Sequence, residues 1–541
     1  MTQTQRYDYI IIGAGSAGCL LAKRLTENSH KQVLLIEAGK SDNYIWIHIP
    51  VGYLYCIDNP RADWRFKTAK EAGLNGRSLL YPRGKVLGGC SSINGMIYMR
   101  GQAGDYATWV EATGDEAWSW PNALERYKSF EDYHGGANQW HGKGGEWTVS
   151  RQRLRWPIMD VFRKAAVESG IPASDDFNQG DNFGVGYFDV SQRAGWRLNT
   201  SKAFLREAAK RPNLTVLTEA VVDTLLIDPK TKNCYGVQYL KDGVAHQVLC
   251  NIESGGEVIL SAGTIGSVQI LERSGIGSAE RLEQLGIPVM SDLPGVGENL
   301  QDHLQLRMIF KVSGIQTLNT KVHHLLGKLK IGLEYFFKRS GPMSMAPSQL
   351  GAFAYSSPAQ TSANVEYHVQ PLSLEKFGDD LHTFNAFTAS VCNLRPSSRG
   401  SVHISSRDPQ VHPVISPNYL STGDDCQVAI DSLRLTRNIV ESAALKPYSP
   451  EEYKPGSQYQ SDADLIKAAG DIGTTIFHPV GTCKMGRPDD PMAVLDSELR
   501  VRGIQHLRVV DASAMPTITS GNTAAPTMMI AQRAAQLLTG E

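Results

Sequence analysis

The apolar residues of the first forty positions predict two buried strands with a helix between them. Tyr7 to Ile12 contains three consecutive isoleucines, which is typical of a strand covered on both faces. Cys19 to Leu25 has the composition of a helix, and Val33 to Ile36 is a second short apolar run. A turn of glycines and small residues separates the first strand from the helix. This order predicts one βαβ unit.

The later apolar segments change in character towards the middle of the chain. They include a strand-rich stretch from Leu214 to Tyr239, EVILSAG at 257–263, LRVVDAS at 507–513 and a helix from Thr527 to Leu538. Between residues 304 and 470, apolar and polar residues alternate in VEYHVQP (365–371) and SVHISS (401–406), which favours an antiparallel sheet. Residues 130–150 are rich in Gly, His and Trp and predict a loop.

These patterns predict an α/β fold of mixed α+β character, in which two domains are built from separated segments. We assign residues 1–155, 197–303 and 471–541 to a Rossmann-type nucleotide-binding domain. Residues 156–196 and 304–470 then form an inserted substrate-binding domain, with a mainly antiparallel sheet flanked by helices.

Residues 321–338 have the pattern of an amphipathic helix. Its apolar stripe consists of Val322, Leu325, Leu326, Leu329, Leu333, Phe336 and Phe337, and its cations are Lys321, Lys328, Lys330 and Lys338. Two interpretations remain open. The stripe packs on the substrate domain and roofs its pocket, or the helix rests on an anionic membrane surface.

Composition and charge narrow the functional classes. Lys+Arg 54 against Asp+Glu 55 gives a net charge of −1, which argues against a nucleic-acid-binding protein. The eight cysteines are scattered without a C-x-x-C pair, which disfavours a metal site or a disulfide framework and favours a reducing compartment. The N-terminus lacks the features of a signal peptide, so we expect a cytoplasmic protein, with a peripheral position at the inner face of the membrane as the alternative.

The turn after the first strand carries a dinucleotide-binding motif. Gly13, Gly15 and Gly18 form G-x-G-x-x-G, with Ser16 inside the motif. The glycines permit a tight turn, a close approach of the backbone to a pyrophosphate, and close packing of the helix on the strand. Glu37 ends the second strand, where an acid can accept hydrogen bonds from ribose hydroxyls. The motif predicts dinucleotide binding but does not by itself separate FAD from NAD.

Six further segments carry distinctive motifs. They are RGKVLGGCSSINGMIYMRG (83–101), GTIGSVQILERSGIG (263–277), LPGVGENLQDH (293–303), CNLRPSSRGSV (392–402), HPVGTCKMG (478–486) and LRVVDASAMPTITSGNTAAPT (507–527). These segments resemble the glucose–methanol–choline (GMC) oxidoreductase family. The resemblance spans nearly the whole chain in order. It is greatest to the choline-dehydrogenase-like branch, which includes bacterial alcohol dehydrogenases. Cys90 and Val268 depart from the family pattern, where Ser and Pro are commoner.

The resemblance implies FAD as the cofactor. Together with the glycine motif, it gives an expected cofactor-binding set of Gly13, Gly15, Ser16, Gly18, Glu37, Ala38, Trp64, Arg83, Gly88, Gly89, Ser91, Asn94, Gly95, Met96, Ile97, Val222, Ala262, Gly263, Asp511, Ala512, Asn522 and Thr523. Some family members attach FAD covalently to a histidine in the first of these segments. The matching position here is Ile93, which has no nucleophilic nitrogen, so the resemblance implies noncovalent FAD.

His478 and Asn522 match the positions of the family's catalytic pair. A neutral imidazole takes a proton from an alcohol near pH 7, and the carbon-bound hydrogen then passes to the flavin as hydride. An asparagine hydrogen-bonds the substrate oxygen and orients it. Cys483 lies nearby but has no evident base in sequence, so we interpret it as a buried small residue. We expect structural roles for His303, His368 and His412.

The expected function is FAD-dependent oxidation of an alcohol, primary and aliphatic or aryl, to an aldehyde. The first alternative is a lyase, because the family fold also hosts hydroxynitrile lyases and a fatty-acid photodecarboxylase; the latter lacks the histidine found here as His478. Choline oxidation and flavin binding without catalysis are the others. The resemblance favours a dehydrogenase, with a quinone or another acceptor preferred over oxygen. The sequence gives no metal site and no oligomeric state.

Overall fold

A computed structural model describes residues 6–322, 325–375 and 378–540 and shows a mixed α/β fold, as the sequence predicts. Its α-helices are Ser16–Leu25, Ile45–His48, Ala103–Thr113, Trp120–Phe130, Pro157–Glu168, Arg206–Ala208, Gly263–Arg273, Ala279–Gln284, Leu318–Val322, Leu325–Lys338, Gly423–Val440, Asp462–Ile472 and Ala524–Thr539. The described helices therefore include the predicted one after the glycine turn and the predicted one at the C-terminus, each slightly longer than the sequence pattern suggested.

A parallel five-stranded sheet forms the centre of the nucleotide-binding part. Its strands, in spatial order, are Leu214–Leu217, Val33–Ile36, Tyr9–Ile12, Glu257–Leu260 and Leu507–Val509. The predicted first strand divides at Asp8, whose carboxylate accepts the backbone N–H of Gln32. The short strand Arg6–Tyr7 before it joins a second sheet, with Val244–Cys250, Cys234–Lys241 and Ala220–Ile227.

The part that the sequence analysis assigns to substrate binding contains an antiparallel sheet with one apolar and one polar face. In spatial order its strands are Glu451–Lys454, Leu304–Lys311, Ala386–Asn393, Val365–Gln370, Leu350–Ala354 and Gly184–Tyr187, and Gly473–Thr475 pairs with Leu304–Lys311. The apolar side chains of the three central strands, such as Leu306, Val391 and Tyr367, belong to one buried core. Their polar neighbours alternate with them and point to the opposite face.

Smaller strand groups complete the fold and correct two predictions. They are Gln192–Arg193 with Trp196–Arg197, Ile276–Gly277 with Ser291–Asp292, Phe66–Lys67 with Leu80–Tyr81, Ser401–His403 with Val414–Ser416, and Glu131–Tyr133 with Trp147–Arg151 and Asp189–Val190. The alternating segment at 401–406 was predicted for the substrate sheet, but it forms a separate hairpin whose Val402 joins the nucleotide-domain core. The region 130–150 is a loop only between its flanking strands.

Two buried cores follow the interleaved segments of the chain. The larger one surrounds the parallel sheet and includes the C-terminal helix, whereas the second fills the space between the antiparallel sheet and helices Pro157–Glu168, Gly423–Val440 and Asp462–Ile472. Leu74 and Leu79, which precede the inserted domain in sequence, join the second core. Side chains from a segment assigned to one part of the fold thus pack in the core of the other part.

The helix Leu325–Lys338, called the exposed helix below, presents its apolar stripe outward. Leu326 (80% exposed), Phe336 (65%) and Phe337 (75%) are the most exposed members, while Ile331 and Tyr335 on the opposite side are buried. The interpretation that this stripe packs on the substrate domain is therefore wrong for Leu326, Leu329, Leu333, Phe336 and Phe337, whereas Val322 does pack against the core of the antiparallel sheet. Residues 323 and 324 of the predicted helix, and the side chain of Leu325, lie outside the described residues. None of the described helices has the length and apolar character needed to cross a membrane.

Candidate active site

A cavity of about 300 Å³ lies between the parallel sheet and the polar face of the antiparallel sheet. The predicted residues that line it are Gly13, Gly15, Ser16, Glu37, Ala38, Trp64, Arg83, Gly89, Asn94, Gly95, Met96, Ile97, Val222, Ala262, Gly263, His478, Asp511, Ala512, Asn522 and Thr523. Gly18, Gly88 and Ser91 lie behind these walls. The structure thus brings the predicted cofactor residues and the predicted catalytic pair to one place.

The glycine turn has the shape that a pyrophosphate requires. Gly13 has φ +99°, and a Cβ there would lie 2.5 Å from the Ser261 carbonyl oxygen. A Cβ on Gly18 would lie 1.9 Å from the Gly13 carbonyl oxygen, so glycine permits the helix to pack closely on the strand. A Cβ on Gly15 would meet no described atom within 4 Å, which leaves the turn open to the cavity in front of the helix that begins at Ser16.

The second glycine-rich segment packs directly on this turn. The N–H of Gly88 donates to the Ala14 carbonyl at 2.8 Å. A Cβ on Gly89 would lie 2.7 Å from the Cα of Gly15, so the two backbones touch. Ser91 donates its hydroxyl to the Gly88 carbonyl at 2.6 Å and shapes the loop from behind. Gly88 and Ser91 therefore support the cavity wall rather than form it.

Two buried carboxylates, Glu37 and Asp511, line the cavity. Glu37 accepts the backbone N–H groups of Ala14 and Gly39, and its burial raises its pKa to about 7. Asp511 accepts hydrogen bonds from Gly263 and Ser267, and burial raises its pKa also. Both carboxylates hold backbone segments that face the cavity, as expected of residues that shape a dinucleotide site.

His478 lies in a chain of hydrogen bonds that fixes its protonation pattern. The ring of His303 contacts the Leu394 carbonyl oxygen through Nε2 at 3.0 Å and the Nδ1 of His478 through its own Nδ1 at 3.1 Å. A carbonyl only accepts, so Nε2 of His303 carries the proton, and Nδ1 of a neutral His303 must accept. The proton of His478 is therefore on Nδ1. Its Nε2 lone pair faces the side-chain amide of Asn522 at 3.0 Å.

The surroundings keep both imidazoles neutral. Burial lowers the pKa of His478 well below 6.5, and His303, His368 and Arg83 lower it further. Burial also lowers the pKa of His303. A neutral ring whose Nε2 carries no proton can accept one, which a protonated ring cannot.

The backbone of His478 is held by a buried aspartate. Its N–H donates to Oδ1 of Asp302 at 2.8 Å, while the other carboxylate oxygen accepts the hydroxyls of Tyr81, Tyr419 and Thr475. Four donors on one carboxylate fix its position. The imidazole therefore extends from a rigid anchor.

Several cavity residues escaped the sequence analysis. His303 was expected to be structural, but it positions His478, and His368 lines the cavity wall. Gln305, Arg307 and Gln370 also line it, from the polar face of the antiparallel sheet. The signal was present in the alternation of VEYHVQ, where every second residue is polar, and at the start of QLRMIF, where Gln305 and Arg307 flank an apolar residue.

A cluster of His303, Glu366 and Cys392 has its ligand atoms within 4.8 Å of one another. Both ring nitrogens of His303 are already engaged, and burial holds the pKa of the Cys392 thiol well above its usual value. Glu366 lies 3.2 Å from Nε2 of His368. We therefore interpret this cluster as one that holds His303 and His368 in position rather than as a metal site.

Comparison with known proteins agrees with these features over the whole chain. Family models described as GMC oxidoreductase match residues 7–305 and 396–531. The chain is 41% identical to the oxygen-dependent choline dehydrogenase of Photobacterium profundum over 99% of this chain and 93% of that one. It is 38% identical to the alcohol dehydrogenase (acceptor) of Pseudomonas putida, over 98% and 95%.

A solved structure supports the same assignment. The pyridoxine 4-oxidase from Mesorbium loti superposes with a TM-score of 0.89 at 29% identity, covering 99% of this chain and 100% of that one. The chain belongs to the GMC oxidoreductase family.

Proposed function

We propose that this protein oxidises an alcohol to the aldehyde, with His478 as the base. The observation that carries the proposal is the unprotonated Nε2 of His478, which meets the amide of Asn522 at the cavity wall. A substrate hydroxyl that displaces this contact would donate its proton to Nε2 and accept a hydrogen bond from the released Nδ2 of Asn522. The buried Oδ1 of Asn522 has no hydrogen-bond partner among the described residues, and so it is available to a bound molecule.

The family implies FAD, and the open glycine turn fits a dinucleotide. When bound, FAD supplies the two-electron acceptor for the carbon-bound hydrogen of the alcohol. The protein's own contribution is to orient the hydroxyl, to hold its proton on Nε2 of His478, and to exclude water from the cavity.

Anaerobic mixing with a panel of primary alcohols tests this proposal. Bleaching of the flavin absorbance by at least one alcohol supports oxidation, and His478→Ala with bound FAD is the matched control. A panel that leaves the flavin oxidised, while cyanohydrins or fatty acids are cleaved, would favour a lyase instead.

We propose further that the FAD is noncovalent and that a quinone or dye is a better acceptor than oxygen. Ile93 lies at the cavity wall and packs among Ile47, Cys56 and Val86, so it offers no attachment atom. The acceptor is tested by measuring dye reduction and hydrogen peroxide formation with one alcohol. Stoichiometric peroxide at the rate of the best dye would identify an oxidase.

We also propose that the exposed helix rests on an anionic membrane surface, which would make the protein a peripheral one at the inner face of the membrane. Its exposed apolar residues Leu326, Leu329, Leu333, Phe336 and Phe337 fall within about 100° of one helical face, given roughly 100° per residue. Lys328, Lys330 and Lys338 are exposed beside them. Such a side-by-side arrangement suits lipid tails and anionic headgroups.

This surface lies near the active-site cavity. The exposed helix contacts the turn at Pro342–Ser344, which contacts the turn at Pro50–Tyr55. Tyr53 of the latter turn lines the cavity. A membrane-dissolved alcohol or quinone would thus lie close to the active site.

Flotation with anionic and neutral vesicles tests the membrane proposal. Binding to anionic vesicles should weaken with salt and with Phe336→Ser/Phe337→Ser. Val244→Ser/Val411→Ser, which removes exposed apolar residues elsewhere, is the control. Wild-type protein that stays wholly soluble at low salt would refute the proposal.

A further inference from the structure

Arg307 is a cation on the cavity wall that has no acidic partner among the described residues. It belongs to strand Leu304–Lys311, lines the cavity and is half-buried. Its Nη2 is buried and has no hydrogen-bond partner among the described residues. The neighbouring group that opposes the effect of burial on the pKa of Arg307 is Tyr53, not a carboxylate. An arginine remains charged at any physiological pH, and a buried charge without a partner is costly.

A second arginine adds to the positive field at this end of the cavity. Arg197 is fully buried and donates through Nη1 to the side chain of Asn94 at 2.9 Å. Its Nε and Nη2 have no partner among the described residues. The groups that oppose the effect of burial on the pKa of Arg197 are Cys56 and Tyr53, which are neutral. Two guanidinium groups therefore flank Tyr53 with no carboxylate to balance them.

Neither of the acids that line the described cavity wall, Glu37 and Asp511, contributes to the pKa shift of Arg307. Glu37 and Asp511 belong to the nucleotide-binding half, where they hold the backbone segments described above. Glu366 lies two strands away from Arg307, in the cross-strand row of Gln305 and Cys392 rather than in that of Arg307, and it contacts His368. The place around Arg307 is thus suited to an anion and unsuited to a quaternary ammonium.

We propose that Arg307 binds a carboxylate of the substrate, so that the preferred alcohol is a hydroxy acid. This inference rests on the proposed alcohol oxidation. Arginine matches a carboxylate with two parallel hydrogen bonds, and Gln305 and Gln370 line the same wall and can add amide donors. Arg307 lies four residues beyond His303, roughly 13 Å at about 3.3 Å per residue. We therefore place the substrate carboxylate towards Arg307 and the carbinol towards His478.

Matched substrates test the assignment. The panel is a series of ω-hydroxycarboxylates with the corresponding alkanols, hydroxymethylbenzoate with hydroxymethylbenzamide, and choline. Wild-type protein should prefer the carboxylates and discriminate against choline. Arg307→Met should lower kcat/KM for the carboxylates by about ten- to hundredfold, mostly through KM, because it removes charged hydrogen bonds. Arg307→Lys should lose less, and uncharged alcohols should change little.

Two further measurements separate the explanations. Toluate, the carboxylate that lacks only the hydroxyl of hydroxymethylbenzoate, should raise the melting temperature of the wild-type holoenzyme but not of Arg307→Met. Lys311→Met removes a positive charge from the same strand outside the cavity and should behave as wild type. FAD content should be unchanged in Arg307→Met; loss of FAD would assign the arginine to the cofactor and overturn the proposal.

Equal turnover of the benzoate and the benzamide, or an equal loss for both in Arg307→Met, would also overturn it while leaving alcohol oxidation intact. If no alcohol of any charge reduces the bound flavin, the proposed function itself fails.

Discussion

Replacing His303 with alanine should slow alcohol oxidation while leaving the catalytic base in place. His303 accepts the Nδ1 proton of His478 at 3.1 Å and so keeps the lone pair on Nε2. Without that acceptor, a buried N–H is left unpaired, which costs about 1–3 kcal/mol. The other tautomer, with its proton on Nε2, then gains by the same amount. The ratio of the reactive tautomer to the other should fall by roughly five- to 150-fold.

The assay is the anaerobic rate of flavin reduction by a saturating alcohol in holoenzyme of equal FAD content. His303→Gln should recover part of the rate, because its amide oxygen can accept from Nδ1 of His478. His412→Ala removes a histidine that packs on Phe66 away from this hydrogen-bond chain and serves as the control. A rate for His303→Ala equal to that of wild type would refute the tautomer argument.

The pH profile distinguishes positioning from a general loss of structure. His303 is one of the groups that lower the pKa of His478. Its removal should therefore raise that pKa and move the acid limb of the rate profile to higher pH. A merely destabilised protein would lose rate without this shift.

Three further predictions concern the same site and its cofactor. His478→Ala should retain FAD and lose about two to four orders of magnitude in turnover, and Asn522→Ala should lose less, since it removes orientation but not the base; near-normal turnover of His478→Ala would assign the base elsewhere. In wild type, protonation inactivates His478, and its pKa is held well below 6.5, so kcat/KM should stay on its plateau as the pH falls through 6.5 and decline only below it; a midpoint at or above 6.5 would contradict this. Acid precipitation should release free FAD, and yellow colour retained in the pellet would reveal a covalent link. Cys90 is the one cysteine among the described cavity residues, so Cys90→Ala would then test whether it is the point of attachment.

The βαβ unit and the glycine turn were predictable because local rules determine them. Three isoleucines in a row suit only a strand covered on both sides, and Gly13 and Gly18 occupy positions where a Cβ would strike backbone. The positions of His478 and Asn522 could be expected from the resemblance to the family. Their hydrogen bond to each other could not, because 44 residues separate them in sequence.

The exposed helix shows where periodicity stops being informative. The spacing of Leu326, Leu333 and Phe337 correctly places them on one face, but it does not say what that face meets. Here Ile331 and Tyr335 on the other side are buried, and the Tyr335 hydroxyl donates to the Gly195 carbonyl at 3.0 Å. An apolar stripe can therefore be left outside when a few contacts fix the opposite face.

The antiparallel sheet explains why His303 and Arg307 escaped the sequence analysis. In a sheet with one face in water, alternate polar residues need no special explanation. In this sheet both faces are covered, so the polar face is enclosed and each charged residue on it requires a partner. His368 and Arg307 share that face in one cross-strand row through Ser390. Once the second covering layer is known, the polar residues of these strands change from surface residues into candidates for substrate recognition.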